Sequence, residues 1–146
     1  YAFGGSAPVA MDGQHKFFRL KISSSYISDP HLQFMSANSL GADDVVVAIS
    51  QSGTTAALIE SIKIVRKNGA KVIGIMPGDT PLANICDFPL TINVGSNNRI
   101  SKPVTSRIAY TAVIDVLTMG VAQLKPEAQD HLYNIADSQR SLKVDN

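Results

Sequence analysis

Short β-rich runs alternate with helical segments along the chain, the pattern of a parallel sheet covered by helices. The clearest strand is Asp44–Ser50, a nearly continuous β-branched run of the kind buried on both faces, and it is expected at the centre of the sheet. Lys71–Met76 and Phe88–Val94 read as further strands. Tyr1–Phe3 reads as a short first strand, and Ser24–Ile27 as a weak one. These five runs predict a three-layer α/β/α sandwich with a mainly parallel five-stranded sheet.

Between the strands the period changes to that of helices. Pro8–Leu20 places Val9, Gly13, Phe17 and Leu20 on one face and the pair Asp12 and Lys16 on another, with Ser6 as its expected cap. His31–Leu40 reads as a short helix stopped at Gly41, and Leu82–Cys86 as a helical turn. Thr55–Asn68 carries a stripe of Leu58, Ile62 and Val65 and ends on Asn68-Gly69. Gly95–Lys102 reads as a loop. The helix Val104–Leu124 is apolar round most of its circumference, with one polar stripe at Arg107, Thr111, Asp115 and Thr118, so it is expected to be buried or shared with a second chain. Pro126 breaks it, and an amphipathic helix with Leu132, Ile135, Ala136 and Leu142 closes the sequence.

At 146 residues and 45% apolar, the chain is expected to form one domain with a real core. Its 13 Lys and Arg against 12 Asp and Glu give a net charge of +1 with no basic run, which lacks the footprint of nucleic-acid binding. The single Cys86 rules out an internal disulfide or a cysteine-based metal cage and reads as a packed thiol. His15, His31 and His131 share no metal-ligand spacing, so neither metal nor cofactor is expected. No apolar run approaches the roughly 18 residues of a membrane span, and the expected location is the cytoplasm. The opening Tyr1-Ala2-Phe3-Gly4-Gly5 has no signal-peptide character and reads as the start of a domain cut from a longer polypeptide.

Candidate chemistry sits in two hydroxyl-bearing glycine turns at the carboxyl ends of predicted strands, where open α/β sheets place ligands. One is Gly4-Gly5-Ser6. The other is Ser50-Gln51-Ser52-Gly53-Thr54-Thr55, running into a helix. Ser52, Thr54 or Thr55 could simply cap that helix. Capping needs one side chain, however, and the surplus of hydroxyls favours an anion cradled at the positive end of the helix dipole. The loop has neither the Lys nor the paired glycines of a Walker A motif, and Gly4-Gly5 lacks the third glycine of a dinucleotide fingerprint. Arg107 and Lys16 are weaker candidates for a phosphate or carboxylate partner, with a structural ion pair to an Asp as the alternative.

VVVAISQSGTT at 45–55 resembles the strand, Ser-x-Ser-Gly-x-Thr, helix signature of the SIS (sugar isomerase) domain. YAFGGSAPVAMDGQHK at the start, His15–Leu20, Thr80-Pro81-Leu82-Ala83, and Ser106-Arg107-Ile108 leading to Val113–Leu117 resemble the SIS domains of RpiR-type bacterial transcription regulators, near their HexR branch. The resemblance covers nearly the whole chain. It implies a flavodoxin-like domain that binds a phosphosugar effector, pairs as a homodimer or higher homo-oligomer, and reaches DNA only through an N-terminal helix-turn-helix domain not contained in this stretch. It further implies that Ser6, Ser50, Ser52 and Thr55 hold the effector, with Gln51, Gly53 and Thr54 adding contacts and Gly5 nearby. The HexR-like look makes 2-keto-3-deoxy-6-phosphogluconate the first candidate.

Isomerisation of a sugar phosphate needs a base beside the carbonyl. The chain has only two glutamates, Glu60 inside a predicted helix and Glu127 after Pro126, and the isomerases' Glu/His-rich segment has no match in Asp29–Gln33. A sensor is therefore expected over a sugar-phosphate isomerase, the second reading; a bare dimerisation scaffold is the third.

Overall fold

The computed structural model describes residues 1–95 and 102–140. Three parallel strands, β1 (Val45–Ile49), β2 (Lys71–Met76) and β3 (Phe88–Thr91), form a sheet in that order. β1 runs from Val45 opposite Lys71 to Ile49 opposite Ile75, and β2 from Ile73 opposite Phe88 to Met76 opposite Thr91. Five helices surround it: α1 (Ala7–Arg19), α2 (Pro30–Ser39), α3 (Ala56–Lys67), α4 (Lys102–Leu124) and α5 (Pro126–Arg140).

Side chains alternate faces along a strand, and that alternation builds the two cores. Val46, Ala48, Val72 and Met76 pack with Leu58, Ile62 and Val65 of α3 and Ala37 of α2. Ile49 and Ile75 point the other way, to Val9 of α1 and to Tyr110 and Ile114 of α4. Gly13 of α1 makes the α1–α4 approach close: a β carbon there would lie 3.4 Å from Ile114. The domain is thus a three-layer α/β/α sandwich, as its sequence predicts.

The expected five-stranded sheet is reduced to three strands among the described residues. Tyr1–Phe3 does lie along β1, with Ile49 N donating to Tyr1 O at 2.9 Å and the Tyr1 nitrogen donating to Val47 O at 2.7 Å. Only one bridge forms, Ala2 to Ile49, because the chain turns into a 3₁₀ turn at Gly4–Ser6 with Gly4 at φ +50°. Ser24–Ile27 is not a strand. Its single sheet-like bond is Ala2 N to Ile27 O at 3.4 Å, and the Gln33 side-chain amide takes the same carbonyl at 2.7 Å. β2, rather than β1, is consequently the middle of the three strands, and β3 stops at Thr91, short of Val94.

Helix ends mostly follow the chemistry of their residues. Asp29 caps α2 by accepting from Leu32 N at 2.9 Å, with Pro30 in the first turn. α3 ends at Asn68 and Gly69, the latter at φ +92°. The expected glycine stop of α2 is not used: Leu40 is already extended, and Gly41 is not left-handed. The predicted loop at 95–102 and Leu142 fall almost wholly or wholly outside the described residues.

α4 departs from expectation in two ways. Its inward stripe is Ser106, Tyr110, Ile114, Thr118 and Ala122, spaced by four, so Thr118 of the predicted polar stripe is buried and bonds its hydroxyl to Ile114 O at 2.9 Å. Val104, Ile108, Val116 and Met119 face outward and exposed, Val116 by 72%. Val104–Leu124 is also long and apolar enough to cross a membrane by length and composition, with a mean hydropathy of 1.2, contrary to the absence of such a run expected from the sequence. Scattered polar residues break the apolar run but barely lower the average. In the fold, α4 packs on α1 and α5.

Candidate functional site

Ser50 ends β1, held to the sheet by Ser50 N donating to Ile75 O at 3.0 Å. Its buried hydroxyl accepts from Gly53 N at 3.1 Å, closing the turn that follows. Gly53 sits at φ +64° with Thr80 directly behind it, and its carbonyl accepts from Leu82 N at 3.1 Å. Ser52 Oγ accepts from Thr54 N at 3.2 Å and from Thr54 Oγ1 at 3.0 Å. These bonds shape the loop. None caps α3, whose N-cap Thr55 makes no side-chain capping bond. The first-turn N–H groups of α3 are left without a capping side chain, at the positive end of the helix dipole.

The same holds across the sheet edge. Ser6 occupies the N-cap position of α1 but does not act as the expected cap, making no side-chain capping bond. The reason is conformational: a capping side chain needs an extended backbone, whereas the 3₁₀ turn holds Ser6 at φ −87°, ψ −16°.

A cleft of ≈ 150 Å³ joins these two turns. Gly5 and Ser6 line one side, and Ser50, Gln51, Ser52 and Thr55 the other. α4 supplies a third wall with Ser106, Arg107 and Tyr110. Of the residues singled out from sequence, Gly53 and Thr54 shape the loop without lining the cleft. Lys16 lies away from it. Its ammonium pairs with Asp12 at 2.6 Å and with Asp115 of α4, joining α1 to α4, which is the ion-pair alternative for this residue. Burial pulls the Lys16 pKa down, but the two carboxylates outweigh it and hold it above its ordinary value.

Phe3, Ser106 and Tyr110 also line the cleft and were not picked out as site residues from the sequence. The spacing of four between Ser106 and Tyr110 puts them on one helix face, but the abundance of apolar residues round α4 hid which face points inward. Tyr110 is 1% exposed, and burial raises its pKa. Among the described residues the cleft lining holds no carboxylate and no imidazole. Glu60 instead pairs with Lys63 on the exposed side of α3 at 2.6 Å. Cys86 is half-buried behind β2, its pKa pushed up to about 11 chiefly by burial, with Asp87 adding and Arg66 opposing.

Two serines, an uncapped helix end and a cleft lie together at the carboxyl edge of a parallel sheet, the place where open α/β folds take ligands. The SIS domain family matches this chain over residues 1–120. The chain belongs to the SIS domain family. HexR of Pseudomonas aeruginosa, an HTH-type transcriptional regulator, is 38% identical to this SIS domain over 139 residues, covering 94% of this chain and 49% of the relative. HexR of Escherichia coli K12 is 35% identical over 146 residues, covering 99% and 50%. The SIS domain therefore spans about half the length of these relatives. Among solved structures, Vibrio vulnificus NanR complexed with ManNAc-6P superposes with a TM-score of 0.87 at 21% identity, covering 99% of this chain and 56% of that one, a likeness of fold.

Proposed function

We propose that this SIS domain is the effector-sensing and dimerising part of a bacterial transcription regulator of carbohydrate metabolism, and that it works in the cytoplasm as a binder without catalysis. The effector is a sugar phosphate. Its phosphate would sit against the uncapped first turn of α3, within reach of the Ser6 and Ser50 hydroxyls, and its sugar would extend toward α4. The observation that carries this reading is that Ser6, Ser50 and Thr55 line one cleft while making no side-chain cap, so that the donors a phosphate needs are left for a ligand.

The missing base argues for a sensor. Isomerisation would need a carboxylate or imidazole within hydrogen-bond reach of the sugar, and the described lining offers none. The HexR relatives, named as transcriptional regulators and twice as long, support the same assignment. DNA contact would belong to the other half of such a protein. 2-Keto-3-deoxy-6-phosphogluconate is the first candidate effector, and Arg107, which lines the cleft from α4, would pair with its carboxylate. The exposed apolar face of α4 would pair with a second copy.

A thermal-shift screen of sugar phosphates beside their unphosphorylated sugars tests this. A ligand bound only by the folded state stabilises it by about 2.7 kcal/mol at a hundredfold excess over Kd. A rise that needs the phosphate, with the ligand recovered unchanged, is the expected result. Aldose–ketose conversion would make the domain an isomerase, and a flat response to every sugar phosphate would leave a scaffold.

A further inference from the structure

Tyr110 is 1% exposed, yet its hydroxyl has no hydrogen-bond partner among the described residues. Buried phenols ordinarily bond their hydroxyl, and leaving one bare carries the full cost of stripping it of water. Its ring is part of the apolar cluster of Val9, Ile49, Ile75 and Ile114, whose side chains offer no acceptor. The same residue lines the cleft with Ser6 and Ser50, one turn along α4 from Ser106. Tyr110 thus belongs to the α4 wall of the cleft. Burial raises its pKa, which keeps it a neutral O–H donor throughout the range in which a sugar phosphate is an anion.

We propose that Tyr110 reads the sugar: its hydroxyl donates to an oxygen of the ligand at the α4 end of the cleft, selecting among sugar phosphates that the α3 end accepts alike. The inference rests on the reading of the cleft as a sugar-phosphate site. A buried donor left unpaired by the wrong ligand discriminates strongly, whereas a shared phosphate cannot discriminate at all.

The test is calorimetric titration of the 146-residue chain with 2-keto-3-deoxy-6-phosphogluconate, glucose 6-phosphate, fructose 6-phosphate and ManNAc-6P, and with inorganic phosphate. The tightest sugar phosphate is then titrated into Tyr110→Phe and Ser50→Ala. Tyr110→Phe should weaken that ligand about tenfold, bind inorganic phosphate as the parent does, and melt no lower than the parent without ligand. The last readout separates a hydroxyl waiting for a ligand from one that holds the fold together. Unchanged affinity in Tyr110→Phe beside a loss in Ser50→Ala would overturn the role of Tyr110 and leave the cleft assignment standing. An equal loss for inorganic phosphate, or a lower melting temperature with affinity retained, would overturn it too. Parent-like binding by Ser50→Ala, or no binding of any of the four by the parent, would remove the cleft assignment and this proposal together.

Discussion

Gly53 and Thr80 are in contact so close that a β carbon on Gly53 would fall 2.3 Å from Thr80 Oγ1. Thr80 cannot easily give way, because its Oγ1 donates to Pro77 O at 3.1 Å and accepts from Ala83 N at 3.3 Å. Gly53 also holds φ +64°, which a side chain disfavours. The segment after β2 therefore buttresses the loop after β1. Gly53→Ala is expected to lose roughly 2–4 kcal/mol of stability from strain and overpacking together. Denaturant unfolding checks it, and a loss below 0.5 kcal/mol, on the order of a neutral surface change, would show that the loop can move off Thr80.

Ser6 and Ser50 should separate binding from folding. Ser6→Ala removes no capping bond and should leave stability within about 0.5 kcal/mol. Ser50→Ala leaves Gly53 N without its acceptor and should cost about 1–3 kcal/mol. Both should weaken a sugar phosphate by roughly tenfold or more, since each loses a hydrogen bond to a charged group. Titration calorimetry with unfolding curves on the same preparations reads both effects.

Lys16 is expected to matter for stability alone. Lys16→Met breaks the ties to Asp12 and Asp115, and with the pair partly exposed the loss should be about 0.5–1 kcal/mol, with ligand affinity unchanged. The folded pKa of Lys16 is raised, so its contribution is complete below the unfolded value and fades as pH climbs through the folded one, in the alkaline range. Melting curves of parent and variant should accordingly converge only at alkaline pH. A fall in affinity for the variant would return Lys16 to the site.

The outward face of α4 should decide oligomeric state. Ile108→Asp combined with Val116→Asp places charges on two exposed apolar positions and should yield a folded monomer where the parent sediments as a dimer. A monomeric parent would remove the proposed dimer.

Cys86 should react slowly. With its pKa pushed up to about 11, roughly two units above an ordinary thiol, the thiolate population at pH 8 is down about a hundredfold. Alkylation should speed up steeply above pH 10. A rate at pH 8 equal to that of free cysteine would show that the half-buried thiol is more open than its packing indicates.

β1, β2 and α3 were legible from local pattern because each is a strongly periodic or β-branched run with its own stop signals, and the serine loop was legible because a glycine and four hydroxyls stand together. Ser24–Ile27 was misread since its pairing depends on whether Gln33, a turn and more away, claims the Ile27 carbonyl. The Ser6 cap was misread for the same kind of reason: residue type suits capping, but the 3₁₀ turn fixes a backbone angle that prevents it.

By itself the sequence determined the layer order, the helix boundaries near Asp29 and Gly69, and the place of the Ser50–Thr55 loop, all of which depend on neighbours within a turn or a strand. Only the tertiary structure decided which face of α4 turns inward. That choice buries Ser106 and Tyr110 beside Ser6 and Ser50, leaves Ile108 and Val116 outside, and draws Lys16 to Asp115 instead of to the cleft. A helix apolar on nearly every side carries no periodic signal to orient it, so its rotation is set by what α1 and β1 present, elements that precede it by many tens of residues in the sequence.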